Sequence, residues 1–376
     1  MVKHQPSKLV IRVRFPYPAL LTLRMESKGQ LRKENIMENV KVEIAEKSAL
    51  GRELSFVVDK KRVDEERRKV ISEIKENAEI EGFRKGKAPE AIIEKKFEKP
   101  INEQLLNRLI PDAYIETIKE KGLSPITEPD VFDVSIGEEG LKFKVYIELK
   151  PDIQLKKYKG IPVKRVTPEP VTEKEIEGVL AEWEKNPSFA SALIDPEKRK
   201  AWKEKIRQQL EAYKKANALA QENKQLWDEL FKETDFPVPG KLVTDEAIRY
   251  TEEHLRQMNM EGKNREEIEK IAKDIFEKVK PDAVASVKRY LVLEKVAEME
   301  NIKVDEKEID ERINEISRSA GETPEQIRQK IEKANRMEDL KDEIRIQKAF
   351  RFMRDNAKFI ERVILPGEEK KLEIIK

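Results

Sequence analysis

The chain contains no cysteine, and of its 376 residues only His4 and His254 are histidines. The first absence excludes disulfides and thiolate metal sites, and the second leaves an imidazole-based metal or nucleophile–base site almost nothing to use. No apolar run approaches the ~18 to 20 residues needed to cross a bilayer, which argues against a membrane partner. Excess charge is also missing: 77 basic side chains nearly cancel 75 acidic ones, leaving +2. No global field draws the chain to nucleic acid, so any such contact must come from a local cluster. What is abundant is charge of both signs, 40% of all residues. A Lys/Glu-rich, cysteine-free balance resembles thermophile composition, which predicts a melt above about 60 °C.

The length suggests two or three domains. Residues 1–36 stand apart, with eight Lys/Arg against two Glu and an apolar run from Phe15 to Leu23 broken by Pro16 and Pro18. That run is too short and interrupted for a secretory signal. Regular strand pattern begins only after Met37, which is expected to be the natural start; the leader is expected to be inert or disordered, and the location cytoplasmic. Val40, Val42 and Ile44, then Leu54, Phe56 and Val58, alternate with polar residues as a hairpin-like pair of half-buried strands. Helical spacing follows from about Val63 (Val70, Ile74, Ala78), stops at Gly82, and resumes beyond Pro89 to about Lys121. Leu141, Phe143, Val145, Ile147 and Leu149 then mark a strand with one wet face. These elements predict an α+β domain over 37–150.

Pro151, Gly160, Pro162, Pro168 and Pro170 punctuate an extended linker, 151–171, stiff enough to hold two domains apart. From Thr172 the pattern is helical throughout, predicting an all-α domain over 172–361 and a loose tail over 362–376. Asp195-Pro196 reads as a cap and first turn, and Trp202, Ile206, Leu210 and Tyr213 recur as one face of a long helix. Thr323-Pro324 marks another start.

One segment concentrates chemistry: Gly82-Phe83-Arg84-Lys85-Gly86-Lys87-Ala88-Pro89, between two helical patterns. Two glycines permit tight turns, and Arg84, Lys85 and Lys87 have no acid among them. An exposed aromatic ring with clustered cations suits docking on a phosphate-rich partner. An ordinary helix-to-helix turn with Phe83 tucked inward is the competing structure. The segment is no phosphate-binding loop: three residues separate the glycines instead of four, Ala88 stands where Ser/Thr is needed, and a helix precedes it.

The octapeptide resembles the ribosome-docking signature of bacterial trigger factor, Gly-Phe-Arg-x-Gly-Lys-x-Pro, at every fixed position. The likeness extends over roughly Met37 to Glu361 and includes Phe236-Pro237-Val238-Pro239 and Ile302-Lys303-Val304-Asp305. The resemblance implies a ribosome-binding N-terminal domain, a linker and an elongated two-armed helical domain that cradles unfolded chains without ATP or any cofactor. It also implies docking on the large subunit near the tunnel exit, on protein and rRNA, through Gly82, Phe83, Arg84, Lys85, Gly86, Lys87 and Pro89, and self-association off the ribosome. The cradle is expected to be lined by Met258, Met260, Met299, Met337, Phe350, Phe352, Met353 and Phe359, because flexible thioethers and rings adapt to many apolar partners. Residue by residue, a Met or Phe at helical spacing is more often core, so the expectation attaches to the region more than to single positions.

The chain departs from the family in one respect. An FKBP-type prolyl isomerase domain usually stands between linker and helical domain, but between Thr172 and Phe236 this sequence has only Lys/Glu/Gln-rich helix. No isomerase activity is expected, and no catalytic or metal-ligating residue is assigned. His254 follows Glu252 and Glu253 on a polar helix as a solvated side chain, and acidic runs such as Glu306 to Glu308 are solvated faces. Two other functions remain open: an exported, periplasmic-type holdase, which needs a working signal, and a helical scaffold whose loop binds RNA.

Overall fold

The computed structural model describes residues 39–185 and 195–360. The leader 1–36, Met37 and the tail 362–376 lie outside the described residues. Contacts divide the chain into two units, one joining residues up to Asp152 with Phe236–Val287, the other joining Ile153–Asp235 with Lys288 onward.

The first unit is built on an antiparallel sheet of order β1-β2-β4-β3: β1 Val40–Glu46, β2 Gly51–Asp59, β3 Asp130–Gly137 and β4 Gly140–Glu148. The period-two residues pair in register, Val42 with Phe56 and Phe56 with Phe143, so their apolar side chains share one face. Two helices, α1 Lys60–Asn77 and α3 Glu98–Lys121, supply the other half of the core. Leu54, Phe56, Val58, Leu141, Phe143 and Val145 meet Leu105, Leu109, Ala113, Tyr114 and Ile118 of α3. Phe56 and Phe143 stack with centroids 4.5 Å apart. Arg62 and Glu116 tie α1 to α3 through paired 3.0 Å bonds, and Arg108 of α3 reaches Glu66 of α1 at 3.1 Å. Burial pushes the Tyr114 hydroxyl pKa up.

Helix α1 ends at Asn77, earlier than the spacing predicts. The extended backbone at Ala78 lets Ile80 enter a small second core with Val70, Ile71, Ala88, Ile93 and Ile101, against the short helix α2, Glu90–Lys96.

Two helices complete this unit, α6 Gly240–Gln257 and the first part of α7 Arg265–Met299. Pro239 precedes α6 and offers no side-chain cap. Glu148 at the end of β4 does so in its place, accepting Gly240 N–H at 3.0 Å and Lys241 N–H at 2.9 Å, while Lys241 Nζ donates to Asp130 at 2.6 Å. Domain limits read from sequence, 37–150 and 172–361, follow the chain linearly. The contacts instead give Phe236–Val287 to the unit that holds the sheet.

In the second unit the linker is extended, but it does not run free. Ile153, Ile161 and Val163 are buried, and β5 Pro162–Lys164 pairs in parallel with β6 Lys358–Ile360. The side-chain amide of Gln225, on the long helix α5 Pro196–Glu233, accepts from Lys164 N–H at 3.0 Å and donates to Lys164 C=O at 3.2 Å. Glu222, one turn earlier, is buried, accepts Val166 N–H at 3.1 Å, and lies 3.6 Å from Arg165 and 3.4 Å from Arg354. Helix α4, Glu173–Glu184, starts at a capping box of Thr172 and Glu175 and packs on α5 through Ile176, Leu180 and Ile206, with Trp183 edge-on to Trp202. Lys214 and the Thr172 cap hold Glu175 down to about 2. Asp195 caps α5 through Glu197 N–H, with Pro196 in the first turn as the sequence indicates. The last three helices, α8 Glu306–Ala320, α9 Pro324–Lys333 and α10 Met337–Asp355, close on Ile309, Ile313, Ile327, Leu340 and Ile344. The α+β first part and mostly helical remainder are thus as expected.

Candidate docking loop and apolar surface

Two consecutive β-turns shape the basic loop. Phe83 N–H donates to Ile80 C=O at 3.0 Å and Lys87 N–H to Arg84 C=O at 2.9 Å. The third residue of each turn is a glycine with positive φ, Gly82 at 85° and Gly86 at 77°, the geometry of a type II turn, which L side chains resist. Both ends of the loop are anchored, since Ile80 and Ala88 are buried in the small core. Between these anchors the side chains point outward. Phe83 is 40% exposed, so it is not tucked inward. Arg84, Lys85 and Lys87 are exposed, and no carboxylate among the described residues pairs with them. Pro89 stands at the cap of α2, one position before the first helical residue. Ile92, 36% exposed on α2, is a second outward apolar side chain of this subdomain that sequence reasoning missed. It sits next to the buried Ile93 in a seven-residue helix, too short for a periodicity to tell which of the two faces outward.

The residues expected to line a cradle scatter in their environments. Met258 and Met299 are 45% and 48% exposed, at the ends of α6 and α7. Met260 and Met337 are half-buried, the latter against the α8–α10 core. Phe350 stacks on Trp227 at 5.7 Å, Phe352 lies under Lys159 at 5.0 Å, and Phe359 under Arg165 at 3.8 Å. Met353 is fully buried and belongs to the core, because it falls on the inner face of α10 beside Ala349. Met258 and Met260 lie in the first unit and the other six in the second. Tyr213, read from sequence as part of the apolar face of the long helix α5, is instead 69% exposed; Ile248 on α6, Tyr290 on α7 and Leu219 on α5 are exposed apolar residues as well.

Among the described residues no group of three metal-ligating side chains converges, and no helix is long and apolar enough to cross a membrane. The described residues thus present a solvent-facing ring and exposed cations on a double turn, and exposed apolar side chains on long helices. Two family models, described as bacterial trigger factor protein (TF) and its C-terminus, match residues 40–183 and 200–354. Together they span most of the chain, which belongs to the bacterial trigger factor family and is a chaperone. A trigger factor of Natranaerobius thermophilus is 25% identical over 415 residues, covering 81% of this chain and 93% of that protein. One from Koribacter versatilis is 24% identical, covering 76% and 90%. A solved structure described as concerning promiscuous substrate recognition in folding and assembly by the trigger factor chaperone aligns with a TM-score of 0.48 at 16% identity, over 83% of this chain and 98% of that one.

The two matches leave only residues 184–199 between them, far too few for a domain, which needs about 50 or more. The alignment with the Natranaerobius protein is longer than the part of this chain it covers, so that relative carries a stretch with no counterpart here. No FKBP-type domain stands between α4 and α5.

Proposed function

We propose that this chaperone docks on the large ribosomal subunit near the tunnel exit through the 82–89 loop and shields emerging polypeptides without ATP. The observation that carries the reading is Phe83, 40% exposed between Arg84, Lys85 and Lys87 on a loop fixed by two glycine turns. A ring held outward contributes contact area without an ordering cost, and a guanidinium grips phosphate or carboxylate bidentately. The loop therefore fits a surface made of both protein and rRNA. Clients are held by weak contacts to exposed apolar side chains, Met258 and Met299 among them, and leave when they bury those segments themselves. No cofactor enters this cycle, which is cytoplasmic.

Cosedimentation with ribosomes at several salt concentrations tests the docking. The triple variant Phe83→Ala, Arg84→Ala, Lys85→Ala should lose binding while still suppressing aggregation of an unfolded test protein. Undiminished ribosome binding by this variant would refute the assignment.

A further inference from the structure

Many cations of the second unit are matched by acids. Arg199, Lys203, Arg207 and Lys214 of α5 meet carboxylates of α4, and Arg312 and Arg328 meet acids across α8, α9 and α10. Residues 153–168 depart from this pattern. They hold five cations, Lys156, Lys157, Lys159, Lys164 and Arg165, and no acid, the longest acid-free run among the described residues.

The β5–β6 ladder gathers these charges and adds Lys358. Lys358 N–H donates to Ile161 C=O at 2.8 Å and Arg165 N–H to Ile360 C=O at 2.9 Å, while Gly160 N–H on Asn356 C=O at 2.7 Å keeps the preceding lysines beside the strands. Alternation buries Val163 and places Pro162, Lys164, Lys358 and Ile360 together on the exposed face. Two acids border the ladder, and both are engaged: Glu222 by Arg165 and Arg354, Glu300 by Lys159 and the Tyr158 hydroxyl. Lys156, Lys157, Lys164 and Lys358 are exposed and make no ion pair among the described residues. Like charge gathered in this way works against the compact state, and a bound polyanion relieves it.

We propose that the exposed face of the β5–β6 ladder, with Lys156 and Lys157 beside it, binds the phosphate backbone of single-stranded RNA. A lysine is a point charge on a flexible stem, suited to a polymer with a charge at every repeat and no register to match. An acidic peptide fits less well, because it must bring its acids into register and Ile360 alone on this face offers apolar cover. The nearby rings of Phe352 and Phe359 lie under Lys159 and Arg165, so bases have no open ring to stack on and binding is indifferent to sequence. The site is independent of the docking loop, which belongs to the first unit.

Fluorescence anisotropy of a labelled oligouridylate, titrated with full-length Phe83→Ala/Arg84→Ala/Lys85→Ala protein over a salt series, reads this site without the loop. On a single strand log K falls with log salt by about 0.7 per phosphate neutralised, so four lysines give a slope of about −3. Adding Lys164→Ala and Lys358→Ala should weaken binding about tenfold or more at low salt and bring the slope to about −1.4. Lys200→Ala and Lys215→Ala, which remove equal charge from the exposed side of α5, should change neither. Oligoadenylate should bind as oligouridylate does, and circular dichroism should show every variant folded. Absence of binding, a strong preference for one base, no loss in the Lys164/Lys358 variant, or an equal loss in the α5 control would each overturn the proposal. Poly-glutamate that displaces the RNA at lower charge concentration than unlabelled RNA does would also overturn it, naming an acidic polypeptide as the partner.

Discussion

Glu148, the last residue of β4, spends both carboxylate oxygens on the first turn of α6: Oε1 accepts Gly240 N–H at 3.0 Å and Oε2 accepts Lys241 N–H at 2.9 Å. The carboxylate is buried, Pro239 offers no cap of its own, and Tyr146 Oη adds a 3.4 Å contact. A tertiary contact has replaced a local one, and it joins the sheet to a helix over 90 residues away in sequence. Replacing a capping side chain by alanine costs about 0.5–2 kcal/mol. Glu148→Ala should therefore lower the denaturant midpoint by that order and speed hydrogen exchange at the start of α6, whereas Glu148→Gln, which keeps one acceptor, should fall between. Unchanged exchange in α6 would show that the cap contributes nothing.

Glycine substitutions in the loop separate its shape from its chemistry. Gly82 and Gly86 sit at φ 85° and 77° with open space where a Cβ would go, so Gly→Ala costs only the backbone strain of a left-handed residue, about 1 kcal/mol. Gly86→Ala should weaken ribosome binding by displacing Lys85 and Lys87, with a small loss of stability. Lys85→Ala should weaken binding and flatten its salt dependence with no loss of stability. Equal stability loss in both variants would contradict this division.

Much of this architecture is readable from sequence. The period-two runs Val40–Ile44 and Leu141–Ile147 become β1 and β4, the latter with its apolar face buried and the former with Val40 and Val42 half-buried, and Thr323-Pro324 and Asp195-Pro196 start helices because their side chains cap backbone N–H groups locally. The loop could be read because its glycines stand where two turns require positive φ. Other features left no local signature. β5 and β6 are three residues each, too short for a period to show, and their pairing spans almost 200 residues of chain. Met353 and Met299 look alike in sequence, yet only the inward face of α10 decides that the former is core. Phe236–Val287 groups with the sheet and is bonded to it through Glu148 and Asp130, contacts that no linear reading of domain limits can include.

The chain should not accelerate a refolding reaction limited by proline isomerisation. Only residues 184–199 separate the two family matches, and the chain on either side of that gap is α4 and α5, whose packing on Ile176, Leu180 and Ile206 leaves no inserted strands. The uncatalysed phase runs over tens of seconds at 25 °C. Stopped-flow fluorescence with stoichiometric chaperone should leave its rate constant unchanged, and a dose-dependent increase would contradict the prediction.

Glu246 gives α6 a pH response. The Arg249 guanidinium, donating at 2.9 and 2.8 Å, holds its carboxyl down to about 2; burial opposes this and the Ser286 hydroxyl at 2.9 Å assists. The folded value lies below the ordinary 4.5, so the pairing stabilises the fold above that pH and is lost as pH falls through about 2. An exposed helix pair is worth about 0.3–0.5 kcal/mol, so the acid limb of the stability curve should flatten slightly in Glu246→Gln. Melts between pH 5 and pH 2 check this, and an equally steep limb in the variant would refute it.

Glu222 is the corresponding test for the second unit. Its side chain is 6% exposed and gathers Val166 N–H at 3.1 Å, Arg354 at 3.4 Å and Arg165 at 3.6 Å, so one carboxylate on α5 holds the linker beside the end of α10. The two arginines are 46% and 33% exposed and can return to water when the acid is removed. The cost of Glu222→Ala is then mainly the orphaned Val166 N–H and the vacated space, about 1–3 kcal/mol. Glu222→Gln keeps an acceptor for that N–H and should recover most of the loss, which would assign the stabilisation to the hydrogen bond. If Gln is as destabilising as Ala, the ion pairs dominate instead. Salt decides independently: a loss carried by Val166 persists at 1 M salt, where the Debye length is about 3 Å, and a loss carried by the half-exposed arginines shrinks.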